Sequence, residues 1–131
     1  MARILICEDD ELYRQIAEVA FADGGHELVF AVNGDQALAR LKSERVDLIV
    51  TDLVMPGKDG LEVIRALRTE QSRLPILAMT AGFATLKEPL LVAASALGAD
   101  DVIEKPFRPQ VLRQRADALL AKTAARGESA A

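Results

Sequence analysis

VDLIVTDLVMPGKDGLEVI, residues 46–64, decides how this chain folds. Leu48–Thr51 is a short run, rich in branched side chains, with no polar alternation at its centre. A segment that brief is a strand rather than a helix, and the lack of alternation suits a parallel strand covered on both faces. Asp52 follows at once. Leu61, Ile64 and Leu67 then recur at helical spacing, so the stretch reads as strand, acidic residue, turn and helix.

The same unit repeats on either side. Ile4–Cys7, Leu28–Val32, Ile76–Met79 and Asp101–Ile103 are the other strand candidates. Between and after them lie helical faces: Leu12, Ile16, Val19 and Ala20; Ala37, Leu38 and Leu41; Leu90, Leu91, Ala94 and Leu97; Leu112, Ala116 and Leu119. Asn33 suits an N-cap, and Gly24, Gly98 and the 72–75 region mark helix ends. Pro89 and Pro109 belong in first turns, since Pro inside a helix costs about 3 kcal/mol. Five βα units predict a doubly wound α/β sheet with right-handed crossovers.

The chain has 131 residues, half of them apolar, which suits one domain with a real core. A net charge of −4 and the lack of a Lys/Arg cluster argue against direct nucleic-acid binding. Cys7 is the lone cysteine and lies inside an apolar run. It reads as a small buried hydrophobe in a reducing compartment. No signal peptide and no membrane-length apolar run is visible, so a cytoplasmic location is expected. The domain is expected over residues 1–122, followed by a short disordered tail over 123–131 and no effector domain.

In a doubly wound sheet, ligands bind beyond the carboxyl ends of the strands. Glu8, Asp9 and Asp10 follow the first strand, Asp52 the third, Thr80 the fourth and Lys105 the fifth. Acids, a hydroxyl and an ammonium therefore converge on one rim. Two carboxylates about 4 Å apart repel by roughly 4 kcal/mol at an effective dielectric of about 20. A cluster of three calls for protons or a cation, and an oxygen-only donor set favours Mg²⁺. Such an ion also neutralises charge during phosphoryl transfer, and a carboxylate is a competent covalent acceptor. An acidic helix start would explain Asp10 and Glu11 but not the arrival of Asp52, Thr80 and Lys105 at the same rim.

ILICEDDE (4–11), VDLIVTDLVMPGKDGLEVI (46–64), PILAMTAG (75–82) and DVIEKPF (101–107) together resemble the receiver domain of two-component response regulators, of the single-domain, chemotaxis-regulator-like kind. The resemblance spans about residues 2–121. It implies a flavodoxin-like fold: five parallel strands in the order 2-1-3-4-5, with helices on both faces. It makes Asp52 the phosphorylation site. Asp9, Asp52 and the backbone carbonyl of Val54 become metal ligands for Mg²⁺, with Glu8 acting through water. Thr80, Ala81 and Lys105 become the phosphate-binding and switch group, and Pro106 the proline after a cis peptide. Pro56, Gly57 and Gly60 fit the turn after the acceptor.

Three features depart from the family pattern. Val102 stands where an aromatic switch residue is common. The stretch 82–89 is longer than in chemotaxis-type receivers, and Phe83 within it is expected to fold onto the core. Val54 and Gly82 carry no group able to orient an attacking water. His26, in the turn before the second strand, reads as a surface residue with no acid near it.

The resemblance implies a signalling module rather than an enzyme. A histidine kinase or histidine phosphotransfer protein would donate to Asp52, and a downstream protein would meet the face of the fourth helix, fifth strand and fifth helix. No nucleic acid and no membrane is implied, and a monomer is expected, with pairing on activation left open as an option. The alternative is a Mg²⁺-dependent aspartyl-phosphate phosphatase of small phosphomonoesters. Val54 argues against it, because that chemistry usually places a second acid two residues beyond the nucleophile. A flavodoxin-like cofactor binder would need a phosphate-cradling loop where Glu8–Asp10 stand.

Overall fold

The computed structural model describes residues 2–55, 57–81 and 87–125, with the side chains of 87, 88, 90, 91, 124 and 125 left aside. Pro56, the 82–86 stretch with Phe83, the side chains of Leu90 and Leu91, and 126–131 therefore lie outside the described residues.

Strands and helices alternate along the chain: β1 (Arg3–Cys7), α1 (Glu11–Ala20), β2 (Glu27–Ala31), α2 (Gly34–Ser43), β3 (Leu48–Asp52), α3 (Gly60–Thr69), β4 (Ile76–Ala81), α4 (Lys87–Leu97), β5 (Asp101–Lys105) and α5 (Pro109–Ala125). The strands form one sheet in the order β2-β1-β3-β4-β5, and every pairing is parallel. This is the doubly wound, flavodoxin-like arrangement expected from the sequence.

Alternate strand residues feed two cores. Leu5, Cys7, Val29, Ile49, Ile76 and Ala78 pack with Ala37, Val63, Ile64 and Ala94 of α2, α3 and α4. Ile4, Ile6, Leu48, Val50, Leu77, Met79 and Ile103 pack with Ala17, Ala20, Leu112, Ala116 and Leu119 of α1 and α5. Strands sandwiched this way are apolar throughout, which is why their centres show no alternation.

Short polar side chains start the first three helices just past the strands' carboxyl ends. Asp10, Asn33 and Asp59 accept the amide hydrogens of Leu12 (2.9 Å), Gln36 (2.8 Å) and Glu62 (3.1 Å). Each cap contributes about 1 kcal/mol. Pro109 opens α5 and Pro89 lies in the first turn of α4. Gly98 ends α4 at φ +114°, a left-handed conformation that excludes most side chains.

Several expectations are corrected. β2 runs one residue earlier than read: Val32 leaves the ladder because its amide donates to the Gln36 side chain at 3.0 Å. β5 extends to Lys105, since its last residues still pair with Thr80 and Ala81. α1 is rotated from the expected face: Leu12 and Val19 are 58% and 65% exposed, while Ala17 and Phe21 are buried together with Ala20, which is inward as expected. Small side chains at 17 and 20 fit close against the Ile4–Ile6 face of the sheet. α5 continues to Ala125, and Thr123 is buried with its hydroxyl donating to the Leu119 carbonyl at 3.2 Å. His26 is half-buried rather than a free surface residue. Its Nδ1 accepts the Ala2 amide at 3.0 Å, its ring stands edge-on to Phe21, and Nε2 lies 3.9 Å from Asp117.

Candidate functional site

The carboxyl ends of the strands meet at one rim. Cys7 pairs with Ala31 and Thr51, Asp52 with Met79, and Ala81 with Lys105, so the residues at or just beyond these positions emerge together. Glu8 follows β1, is fully buried, and is fixed by its amide donating to Ala31 at 2.9 Å. Asp9 beside it is exposed. Asp52 ends β3 and is buried.

Lys105 ends β5 and joins these acids. Its ammonium donates to the Glu8 carboxylate and lies 3.3 Å from Asp52 Oδ2, with a side chain only 8% exposed. The Lys105–Pro106 peptide is cis. Thr80 is buried in β4, one residue beyond the partner of Asp52, and its hydroxyl makes a long 3.5 Å contact with the Ala81 carbonyl. The Val54 side chain is 60% exposed, and its amide hydrogen-bonds Asp52.

Burial sets the charge state. It pushes the Glu8 carboxyl up to about 7 despite the Lys105 hydrogen bond that opposes the rise. It also raises Asp52, against the charge of Lys105 and the Val54 amide. Burial pulls Lys105 down, but Glu8 and Asp52 outweigh it and leave the ammonium above its ordinary value. The Cys7 thiol is pushed up to about 12, chiefly by burial.

Glu8, Asp9 and Asp52 each offer a carboxylate oxygen, and these atoms lie within 4.8 Å of one another. That all-oxygen, high-charge group fits a hard divalent cation such as Mg²⁺, and neither histidine nor thiolate competes within it.

Backbone packing supports this rim. Gly60, the first residue of α3, lies so close that a Cβ there would stand 2.0 Å from the Asp52 carbonyl oxygen. Gly57 turns at φ +70°, where glycine is favoured. The Gly34 amide donates to Lys58 at 2.8 Å and ties α2 to the turn after β3.

Two participants were not singled out from sequence. Tyr13 on α1 lies under Lys105, with Nζ 4.1 Å from the ring centroid, and its ring also meets Phe107 at 5.4 Å. Arg14 donates to the Glu8 carbonyl at 3.1 Å and steadies the acidic loop. Their signal was position: one turn into a helix that begins directly after the acids.

The sheet order and the acid–lysine rim define a receiver-type α/β domain. The family model described as "Response regulator receiver domain" matches residues 4–117, and the chain belongs to that family. Response regulator MprA of Mycolicibacterium vanbaalenii is 39% identical over 98% of this chain and 56% of its own length. The chain spans about half the length of the curated relatives it matches. Among solved structures, the Francisella response regulator 1452 receiver domain superposes with a TM-score of 0.83 at 27% identity, covering 94% of this chain and 99% of that one. Chemotaxis response regulator CheY4 of Vibrio cholerae gives 0.79 at 31% identity, covering 91% and 98%. Among the described residues, no helix is long and apolar enough to cross a membrane.

Proposed function

We propose that Asp52 accepts a phosphoryl group from a phosphohistidine of a histidine kinase or histidine phosphotransfer protein, in a Mg²⁺-dependent reaction that switches protein–protein contacts. The observation that carries this reading is the Lys105 ammonium shared between Glu8 and Asp52, with Asp9 alongside. A carboxylate with a fixed cation at its side and an acidic group ready for a metal suits phosphoryl acceptance.

In the proposed step an Asp52 carboxylate oxygen bonds to phosphorus as the P–N bond of phosphohistidine breaks. The imidazole nitrogen leaves with that electron pair, and the ring departs neutral because its other nitrogen carries a proton taken from solvent. Asp9, Asp52 and the Val54 carbonyl would hold Mg²⁺, with Glu8 acting through water. The ion would screen the negative charge on the phosphoryl oxygens. Lys105 would pair with one of those oxygens, and the Thr80 hydroxyl and Ala81 amide would hydrogen-bond others. A buried hydroxyl whose contact is as long as 3.5 Å is well suited to redirection.

The exposed, apolar Val54 offers no group to orient water, so loss of the phosphoryl group gains no side-chain assistance there. The readout is a change in affinity for a protein partner at the α4–β5–α5 face, in the cytoplasm. Val102 is half-buried against the core at the position where an aromatic switch is common. Motion of β4 and α4 is therefore the route for the signal.

The test is incubation with Mg²⁺ and acetyl phosphate. Stoichiometric uptake of one phosphoryl group, lost in Asp52→Asn, is expected. Steady turnover of a phosphomonoester such as p-nitrophenyl phosphate would instead make the protein a phosphatase.

A further inference from the structure

We propose that Tyr13 is a positioning residue for the Lys105 ammonium, holding it at the rim through the face of its ring. The kinetic consequence rests on Asp52 being the phosphoryl acceptor; the placement of the ammonium does not.

An ammonium has three N–H donors and no acceptor. For Lys105, Glu8 takes one donor, Asp52 stands at 3.3 Å, and the Tyr13 ring centroid at 4.1 Å is the third neighbour. The side chain is nearly sealed from water, so this third contact takes the place of hydration. A cation over an aromatic face is attracted by the ring quadrupole, and the attraction grows when both are desolvated.

The ring is itself held. Tyr13 lies on α1 one turn after the Asp10 cap, and it packs at an interplanar angle of 53° against Phe107, two residues past Lys105. Tyr13 and Phe107 thus brace the segment bearing the lysine from the α1 side of the sheet. When a divalent cation draws on Glu8 and Asp52, two of the ammonium's three neighbours become shared. The ring is the neighbour that does not change, so the ammonium stays over the place where the phosphoryl oxygens arrive. This also explains why α1 turns Leu12 and Val19 outward: the rotation that buries Ala17 and Ala20 is the one that brings position 13 beneath Lys105.

The test compares Tyr13→Leu, which keeps an apolar side chain against Phe107 but has no π face, with Tyr13→Phe, which keeps the face. The direct readout is the NMR shift of the Lys105 ε-methylene protons in Mg²⁺-free protein. An upfield ring-current shift is expected in the parent and Tyr13→Phe, and its disappearance in Tyr13→Leu. The second readout is the rate of phosphoryl uptake from acetyl phosphate at saturating Mg²⁺. It is expected to fall about fivefold in Tyr13→Leu, to be rescued in Tyr13→Phe, and to leave the Mg²⁺ dissociation constant within about twofold.

An unshifted ε-methylene signal in the parent overturns the proposal, as does parent-like uptake by Tyr13→Leu. Uptake as slow in Tyr13→Phe as in Tyr13→Leu would assign the effect to the hydroxyl and overturn it too. If the parent takes up no phosphoryl group, the phosphoacceptor reading fails, and the ring-current shift alone decides where Tyr13 holds the ammonium.

Discussion

The Lys105 ammonium donates to Glu8 and lies 3.3 Å from Asp52, so a single cation from β5 ties together carboxylates that follow β1 and end β3. The arrangement explains how a fully buried glutamate and a buried aspartate sit side by side. It also makes Lys105 and a divalent cation alternative sources of the same positive charge.

Removing that cation should therefore be costly in metal-free protein. Lys105→Met leaves Glu8 and Asp52 buried beside Asp9 without the Lys105 ammonium, and breaking a buried pair costs about 3 kcal/mol. Urea unfolding in EDTA should show that loss, and millimolar Mg²⁺ should restore part of it.

The rim's shape should be equally sensitive. Gly60→Ala puts a methyl group against the Asp52 carbonyl oxygen, and overpacking of that kind costs about 2–3 kcal/mol. The variant should unfold at lower denaturant and take up phosphoryl groups more slowly. Because the clash is with backbone, no rotamer change relieves it.

Glu8 gives the metal-free protein a pH dependence of its own. Its folded value of about 7 lies above the ordinary 4.5, so between those values the folded state binds more protons than the unfolded one. Its contribution is present below about pH 4.5 and is lost as pH rises to about 7. Binding of Mg²⁺ should run the other way, weakening as Glu8 takes up a proton below pH 7. Unfolding midpoints in EDTA and Mg²⁺ titrations across pH 5 to 8 measure both slopes; Glu8→Gln should flatten them.

The fold was legible in the sequence because buried parallel strands leave unbroken apolar runs, and because Asp52, Thr80 and Lys105 each sit at or beside a strand's end. The rim's geometry followed from that placement. What the sequence obscured was helix rotation. In α1, Leu12, Ile16 and Val19 compete with Tyr13 and Ala17 for the inward face, Ala20 being inward as expected, and size rather than hydrophobicity decides it, since alanines allow close approach to the sheet. The Tyr13–Lys105 contact was hidden for the same reason. His26 was misread because its partners, Ala2 and Asp117, come from the far ends of the chain.

Asp52 as the acceptor is tested most directly by trapping the acyl phosphate. After incubation with Mg²⁺ and acetyl phosphate, borohydride reduces a phosphorylated aspartate to homoserine, and peptide mass spectrometry locates it. The account predicts homoserine at position 52 alone, dependent on Mg²⁺ and lost when Asp52 is Asn. Homoserine at another carboxylate, or none under conditions where the protein is folded and Mg²⁺ is saturating, would contradict it.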